Sequence, residues 1–385
     1  MEFRGFAVLL MFVLISACGG SGADNGESPQ GGEALDSTPE NLSCQIFRRE
    51  SDLNQGTAPR VFEGLWSNWQ NGQDLVGHDE ALNFIDAFGN LTAVAHENDD
   101  DRLKRVLLQS LDRWIADDAF TGTKICGRDG EPCTAWLDSA GYDVSDRQTY
   151  NFVLLHVEQV RAIYSYLSDW AATNERDIHD RTVNWLLFWE SAMPQPDEVY
   201  FGLGTGFYQW KILQLINSGQ IASAQAITER LVNGMDALIN DDGSIAGRTF
   251  RGNRALWYHF TGLNEILATI RLDSEMGTNA VDYIEKIHKA VDIFLQTLED
   301  PSYILPWASE SLNDGGDGTQ QYFFPDRPNN FDGWYNGSSN ATWVYIYMEE
   351  FPDHRNTEKL EEIVPLDAVS ASMDNQYFPV GCMLF

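Results

Sequence analysis

The chain has 385 residues, in which 58 acidic side chains face 25 basic ones for a formal net charge of −33 at pH 7. So negative a surface repels nucleic acid and anionic lipid headgroups and excludes both as direct partners. With 43% hydrophobic residues, 12 Trp and 14 Tyr the chain can bury a large core, and any polyanionic ligand needs a place where the local charge is reversed.

Residues 1–17 carry Arg4, an apolar run from Phe6 to Ile15, and then Ser16-Ala17 before Cys18. This reads as a secretory signal too short to serve as a mature membrane span. Ile15-Ser16-Ala17-Cys18 has the form of a bacterial lipobox, which predicts cleavage before Cys18 and diacylglycerol on its thiol. Gly19 in place of Asp favours an outer-membrane lipoprotein, periplasmic or cell-surface, that touches the membrane through its lipid anchor only. Residues 18–43 are Gly, Ser, Asp, Glu and Pro with little to bury and read as a flexible tether. Residues 44–385 contain no such linker and are expected to form one monomeric domain. Cys44, Cys126, Cys133 and Cys382 are an even set in an exported chain. Cys126 and Cys133 bracket a turn and suit a local disulfide, which leaves Cys44 and Cys382 to tie the ends together. No His clusters with these cysteines and no CxxC is present, so zinc is not expected.

Apolar residues recur at helical spacing over 80–96, 101–117, 147–170, 175–192, 206–218, 221–239, 251–271, 280–298 and 341–350. Short turns such as Asn217-Ser218-Gly219 and Asn240-Asp241-Asp242-Gly243 suit antiparallel helical hairpins. No run alternates long enough for a sheet, and no fixed-period repeat marks a regular solenoid. The expected fold is therefore all-α, an incomplete α/α toroid of hairpins. His156 sits on an apolar helix near Gln159 and Arg161 and reads first as a core histidine, while His78, His96, His179, His288 and His354 read as surface residues. The loop Asn313-Asp314-Gly315-Gly316-Asp317-Gly318-Thr319 lacks the bidentate Glu of a calcium loop. No metal or organic cofactor is expected.

Between Gly243 and Thr261 the chain holds Arg248, Arg251 and Arg254 and no acid. This is the required charge reversal, and planar guanidinium groups suit carboxylates. Tyr258 and His259 follow on the same predicted helix. A Tyr beside arginines is suited to move a proton on a carbon next to a carboxylate. Asp241-Asp242-Gly243 followed by Arg254-Ala255-Leu256-Trp257-Tyr258-His259 resembles the alginate (mannuronate) lyase family, whose fold is an α/α toroid. Leu111-Asp112-Arg113-Trp114, Val183-Asn184-Trp185-Leu186 and the stretch from Trp343 to Phe351 are similar to that family more weakly.

The resemblance implies β-elimination on a uronate polymer, with Tyr258 taking the C5 proton and protonating the leaving oxygen. Arg251 assists, and Arg254 and His259 stand alongside; Arg248 and Arg254 are expected from the arginine run to bind the substrate carboxylate. The chain departs from the family where an Asn-His pair should neutralise the substrate carboxylate. It reads Gly204-Thr205-Gly206-Phe207-Tyr208-Gln209-Trp210 there. Gln209 is the expected replacement donor, with Tyr208 and Trp210 as sugar-facing rings. The partner implied is an acidic polysaccharide. The alternatives are a binding lipoprotein that no longer cleaves, or a toroid hydrolase with two opposed carboxylates, for which the adjacent Asp241 and Asp242 are poorly placed.

Overall fold

The same periodicity that predicts helices decides which of them lie inside. The computed structural model describes residues 49–54, 63–64, 78–121, 124–125, 134–135, 147–192, 203–278, 280–310, 318–324, 327–328 and 342–364, all within the unit Leu42–Phe385. The signal, Cys18, the tether, all four cysteines expected to pair and most of the acidic Gly-rich loop lie outside the described residues.

The helices, in chain order, are α1 (His78–Glu97), α2 (Asp101–Ala116), α3 (Arg147–Ser165), α4 (Ser168–Asn174), α5 (Arg176–Ala192), α6 (Leu203–Asn217), α7 (Ile221–Asp236), α8 (Ala255–Met276), α9 (Ile284–Glu299), α10 (Leu305–Ala308), α11 (Thr342–Glu350) and α12 (Arg355–Ile363). Among the described residues the strands are two or three residues long: β1 (Glu63–Gly64), β2 (Lys124–Ile125), β3 (Thr134–Ala135), β4 (Tyr322–Phe324) and β5 (Arg327–Pro328). They form a β1-β2-β3 patch and a β4-β5 pair.

Helix α8 is apolar nearly all round and buries sixteen of its 22 residues, which makes it an inner helix. Helices α2, α9 and α12 each bury one stripe, such as Leu103, Leu107, Leu111 and Trp114 on α2, and form the outer layer. The inner helices run in the same direction. Asn217 at the end of α6 reaches Ser165 at the end of α3 (3.0 Å), and Thr205 and Gln209 of α6 meet Glu265 and Thr269 of α8 in step. Phe260 and Trp343 meet edge-on where α8 and α11 begin, and Arg271 pairs with Glu349 and Glu350 where they end. Helix α7 returns antiparallel to α8, with Gln225 on the Met276 carbonyl (3.1 Å) and Thr269 on the Met235 sulfur (3.0 Å). The chain is thus all-α, an α/α toroid of antiparallel hairpins.

Several expected boundaries move. The helix expected over 147–170 breaks at Tyr166 and Leu167, whose N–H groups turn back to Ile163 and Tyr164 in a tight turn while Leu167 is fully buried. The helix expected from 251 begins at Ala255, because Gly252–Arg254 wind as one 3-10 turn. It ends at Gly277, whose φ of 59° gives the left-handed cap. Helices α10 and α12 were not expected from the periodicity: one is four residues long, and the other buries only Asn356, Thr357 and Leu360.

Polar groups tie the layers together. Glu158 of α3 is buried between Arg161 (3.4 Å) and Lys211 of α6 (3.6 Å). Burial pushes its carboxyl above the usual range, against the pull of both cations. The Tyr164 hydroxyl lies 2.7 Å from His179 Nδ1. His288 and His354 are not isolated surface residues but stack in parallel at 3.7 Å, with the Tyr347 hydroxyl 2.7 and 2.8 Å from their Nδ1 atoms. His156 is fully buried, with Nδ1 2.9 Å from Gln159 Oε1.

Candidate functional site

The basic segment is shaped by a tight turn and a histidine clamp. The Asp242 carboxylate accepts from the Ser244 amide (2.9 Å), from the Ser244 hydroxyl (2.6 Å) and from the Trp307 indole (2.9 Å). Burial opposes its ionisation, but these donors hold its carboxyl below the usual range. Gly243 has φ of 89°, and a Cβ there would sit 2.5 Å from backbone atoms of Lys289 and Ala290 on α9. Only glycine lets the turn lie so close. Thr249 Oγ1 accepts from the Ile245 amide at 2.7 Å and lies 2.8 Å from His259 Nδ1. His259 Nε2 is 2.8 Å from the Ala290 carbonyl. Since a carbonyl only accepts, Nε2 carries the hydrogen, and complete burial favours the neutral ring, whose Nδ1 accepts from Thr249. Complete burial lowers its pKa to about 4, against the raising effects of the Ala290 carbonyl and Asp242.

His259 is therefore a correction to the sequence expectation. Both ring nitrogens are spent on holding the turn and α9 against α8, and the ring is fully buried. It is a structural clamp, not a group that reaches a substrate.

Tyr258, one residue earlier, points elsewhere. Its ring lies beneath the Arg251 guanidinium at 4.0 Å and is 5.7 Å from that of Arg248, both within cation–π range. Trp257 meets it edge-on at 4.7 Å. Tyr258 is 6% exposed, and among the described residues nothing hydrogen-bonds its hydroxyl. The Arg248 guanidinium is ion-paired with Glu265, a fully buried carboxylate that also accepts from Thr205 Oγ1 at 2.7 Å. Gly262 lets Arg248 cross α8, since a Cβ there would come within 3.2 Å of the Arg248 side chain. Arg248 therefore belongs to the support of Tyr258, and its expected role as a ligand for substrate carboxylate is corrected by that pairing. Arg251 is half-buried and Arg254 is exposed at the start of α8. Arg254 makes no ion pair among the described residues.

The α6 candidates are also corrected. Gln209 is fully buried, and its amide donates to the Glu265 carbonyl and to Thr269, each at 2.9 Å. Those donors fix α6 to α8 and cannot serve a substrate. Tyr208 and Trp210 are each 2% exposed, with Arg230 over the Tyr208 ring at 5.2 Å. They fill the space between helices and offer no open face to a sugar. Asp241 points to solvent, with 98% of its side chain exposed, and Asp242 is tied into its turn, so the two form no opposed acid and base pair. Among the described residues no three His, Cys, Asp or Glu side chains converge as a metal site.

The sequence reading missed Glu265, Thr205 and Gln321. Glu265 carried a signal, being the one acid between Arg254 and Arg271 in an otherwise apolar stretch and two helical turns beyond Tyr258. The buried side chain of Gln321 accepts from the Leu256 amide (3.1 Å) and donates to the carbonyls of Gly252 (3.0 Å) and Gly318 (2.8 Å). Nothing in the sequence pairs it with a helix start 65 residues away.

No protein-family model matches the sequence, and no curated protein does. In structure the chain is similar to alginate lyase A1-III, which comes from a Sphingomonas species. A histidine-to-alanine variant complexed with tetrasaccharide matches at a TM-score of 0.52 and 14% identity, over 84% of each chain. A tyrosine-to-phenylalanine variant complexed with tetrasaccharide matches at 0.52 and 13%, over 84% of this chain and 85% of that one. The apo form of the histidine variant matches at 0.53 and 14%, over 88% and 90%. At this identity the likeness establishes the fold.

Proposed function

Starting from the fold that this chain shares with alginate lyase A1-III, we propose that it is a polysaccharide lyase that cleaves a uronate-containing acidic glycan by β-elimination. The observation that carries the reading is the Arg251 guanidinium 4.0 Å over the Tyr258 ring, inside a protein of net charge −33. In such an elimination a base takes the C5 proton, the freed electron pair becomes the C4–C5 double bond, and the bond from C4 to the bridging oxygen breaks. That oxygen then takes a proton. The Tyr258 oxygen is assigned both transfers, and Arg251 is assigned the stabilisation of the negative charge that develops during the first. Arg251 and Arg254, beside the positive end of the α8 dipole, are the donors assigned to the sugar carboxylate. The test is incubation of purified protein with mannuronate, guluronate and glucuronate polymers. Ultraviolet absorbance from an unsaturated product is expected, unchanged by a chelator, and its absence on all of them ends the lyase reading.

A second reading is favoured by one observation. The Asn-His pair is missing, and the amide of Gln209, its expected substitute, is committed to α8. On that reading the protein binds acidic glycan without cleaving it, and Tyr258→Phe leaves binding intact where no product was ever formed. Under either reading we place the protein at the outer membrane as a monomer tethered through lipid on Cys18. Metabolic labelling with a fatty acid that disappears in Cys18→Ser tests this.

A further inference from the structure

Helix α8 begins without a cap of its own. The residue at its N-cap is Arg254, whose side chain cannot accept a hydrogen bond and makes no capping contact. The chain supplies the missing acceptor from far away, through the Gln321 Oε1 atom on the Leu256 amide at 3.1 Å. The Gln321 side-chain nitrogen donates to Gly252 O at 3.0 Å and Gly318 O at 2.8 Å. Gln321 is 1% exposed, so leaving these groups unpaired would carry a full desolvation penalty. A parallel bond from the Gly318 amide to Asn253 Oδ1 at 3.0 Å fixes the same strand-side segment to the same turn.

The two backbone groups of the basic segment that Gln321 grips flank the site. Gly252 directly follows Arg251, and Leu256 lies two residues before Tyr258. The Arg251 guanidinium stays over the Tyr258 ring only while the 3-10 turn keeps its angle to the first turn of α8. We infer that Gln321 is a positioning residue that caps α8 from a distant segment and thereby sets Arg251 on Tyr258. In its functional sense this rests on the lyase reading above.

The experiment compares wild type with Gln321→Met, which keeps the shape and removes all three hydrogen bonds. Gln321→Glu is the second variant, since it keeps the acceptor for Leu256 and loses the donors to Gly252 and Gly318. Hydrogen exchange of residues 252–258, read without substrate, is expected to speed up by roughly tenfold in the Met variant and less in the Glu variant. Steady-state kinetics on an oligouronate are expected to show kcat lower by about ten- to a hundredfold with KM within about threefold. Unchanged exchange over 252–258 in both variants overturns the positioning role, and so does unchanged kcat in an active wild type. If wild type yields no unsaturated product, the lyase reading fails, while the exchange result still decides whether Gln321 holds the turn. If Gln321→Met does not fold, the same two readouts on Gln321→Glu decide it.

Discussion

At the scale of single residues, the proposed elimination turns on where one phenol oxygen lies relative to two guanidinium groups. On the lyase reading Tyr258→Phe removes the proton carrier and keeps the stacked ring, so kcat is expected to fall by about a thousandfold with oligouronate affinity nearly unchanged. Calorimetric binding together with product absorbance checks both halves. Arg251→Lys keeps the charge and loses the flat face over the ring, and is expected to recover little of the activity lost in Arg251→Ala, about a hundredfold in kcat. Recovery to wild-type turnover would show that charge alone is needed there. The run Arg254-Ala255-Leu256-Trp257-Tyr258-His259 was legible because arginines without an intervening acid stand out in so acidic a chain and because the run resembles a known family's motif. It could not say that His259 turns inward, for that depends on Thr249 and on Ala290 of another helix. Gln209, Tyr208 and Trp210 were misplaced because the apolar residues of α6 are spread around it with no marked polar face, and such a helix gives no sign of which face looks onto a cleft.

At the scale of elements, the turn before α8, the start of α8 and the middle of α9 form one clamped unit. Its centre is His259, whose pKa in the fold, about 4, lies below the ordinary value of 6.5. Above pH 6.5 neither folded nor unfolded chain protonates this ring, and the clamp contributes in full. As pH falls from 6.5 toward 4, the unfolded chain takes up a proton that the fold refuses, and stability declines by roughly 3 kcal/mol over that window. Urea unfolding followed across this range should show the decline in wild type, with a shallower slope in His259→Gln. Gly243→Ala forces a Cβ against the α9 backbone at a positive φ and is expected to cost about 2 kcal/mol or more by the same assay. The helices themselves were readable, since an apolar period near 3.6 sustained over several turns matches a helix and no other regular backbone. The breaks were not, because the bend at Leu167 comes from a buried side chain and the 3-10 turn before α8 from Gln321, both tertiary effects.

At the scale of the whole molecule, a chain of net charge −33 carries a segment of three arginines, of which Arg248 is ion-paired with Glu265. Long-range repulsion should slow the approach of an acidic oligosaccharide, so its association rate is expected to rise several-fold as salt goes from about 10 to about 150 mM, where the screening length shrinks to roughly 8 Å. Stopped-flow fluorescence measures this, and a falling rate would mean that the arginines dominate the far field. Another consequence sits at the far end of the chain, where Tyr347 lies between two imidazoles. The Asn356 backbone amide donates to His354 Nδ1, so that nitrogen is an acceptor, and the Tyr347 hydroxyl lies within hydrogen-bond reach of both rings. Burial and the facing His354 ring, with Arg355 adding to them, make His288 harder to protonate than usual, against Glu285 and Asp292. As pH falls the unfolded chain takes up a proton that His288 resists in the fold, so mild acid weakens this seam. The last hairpin should peel from α9 before the rest of the toroid melts, visible as early amide exchange across residues 355–363.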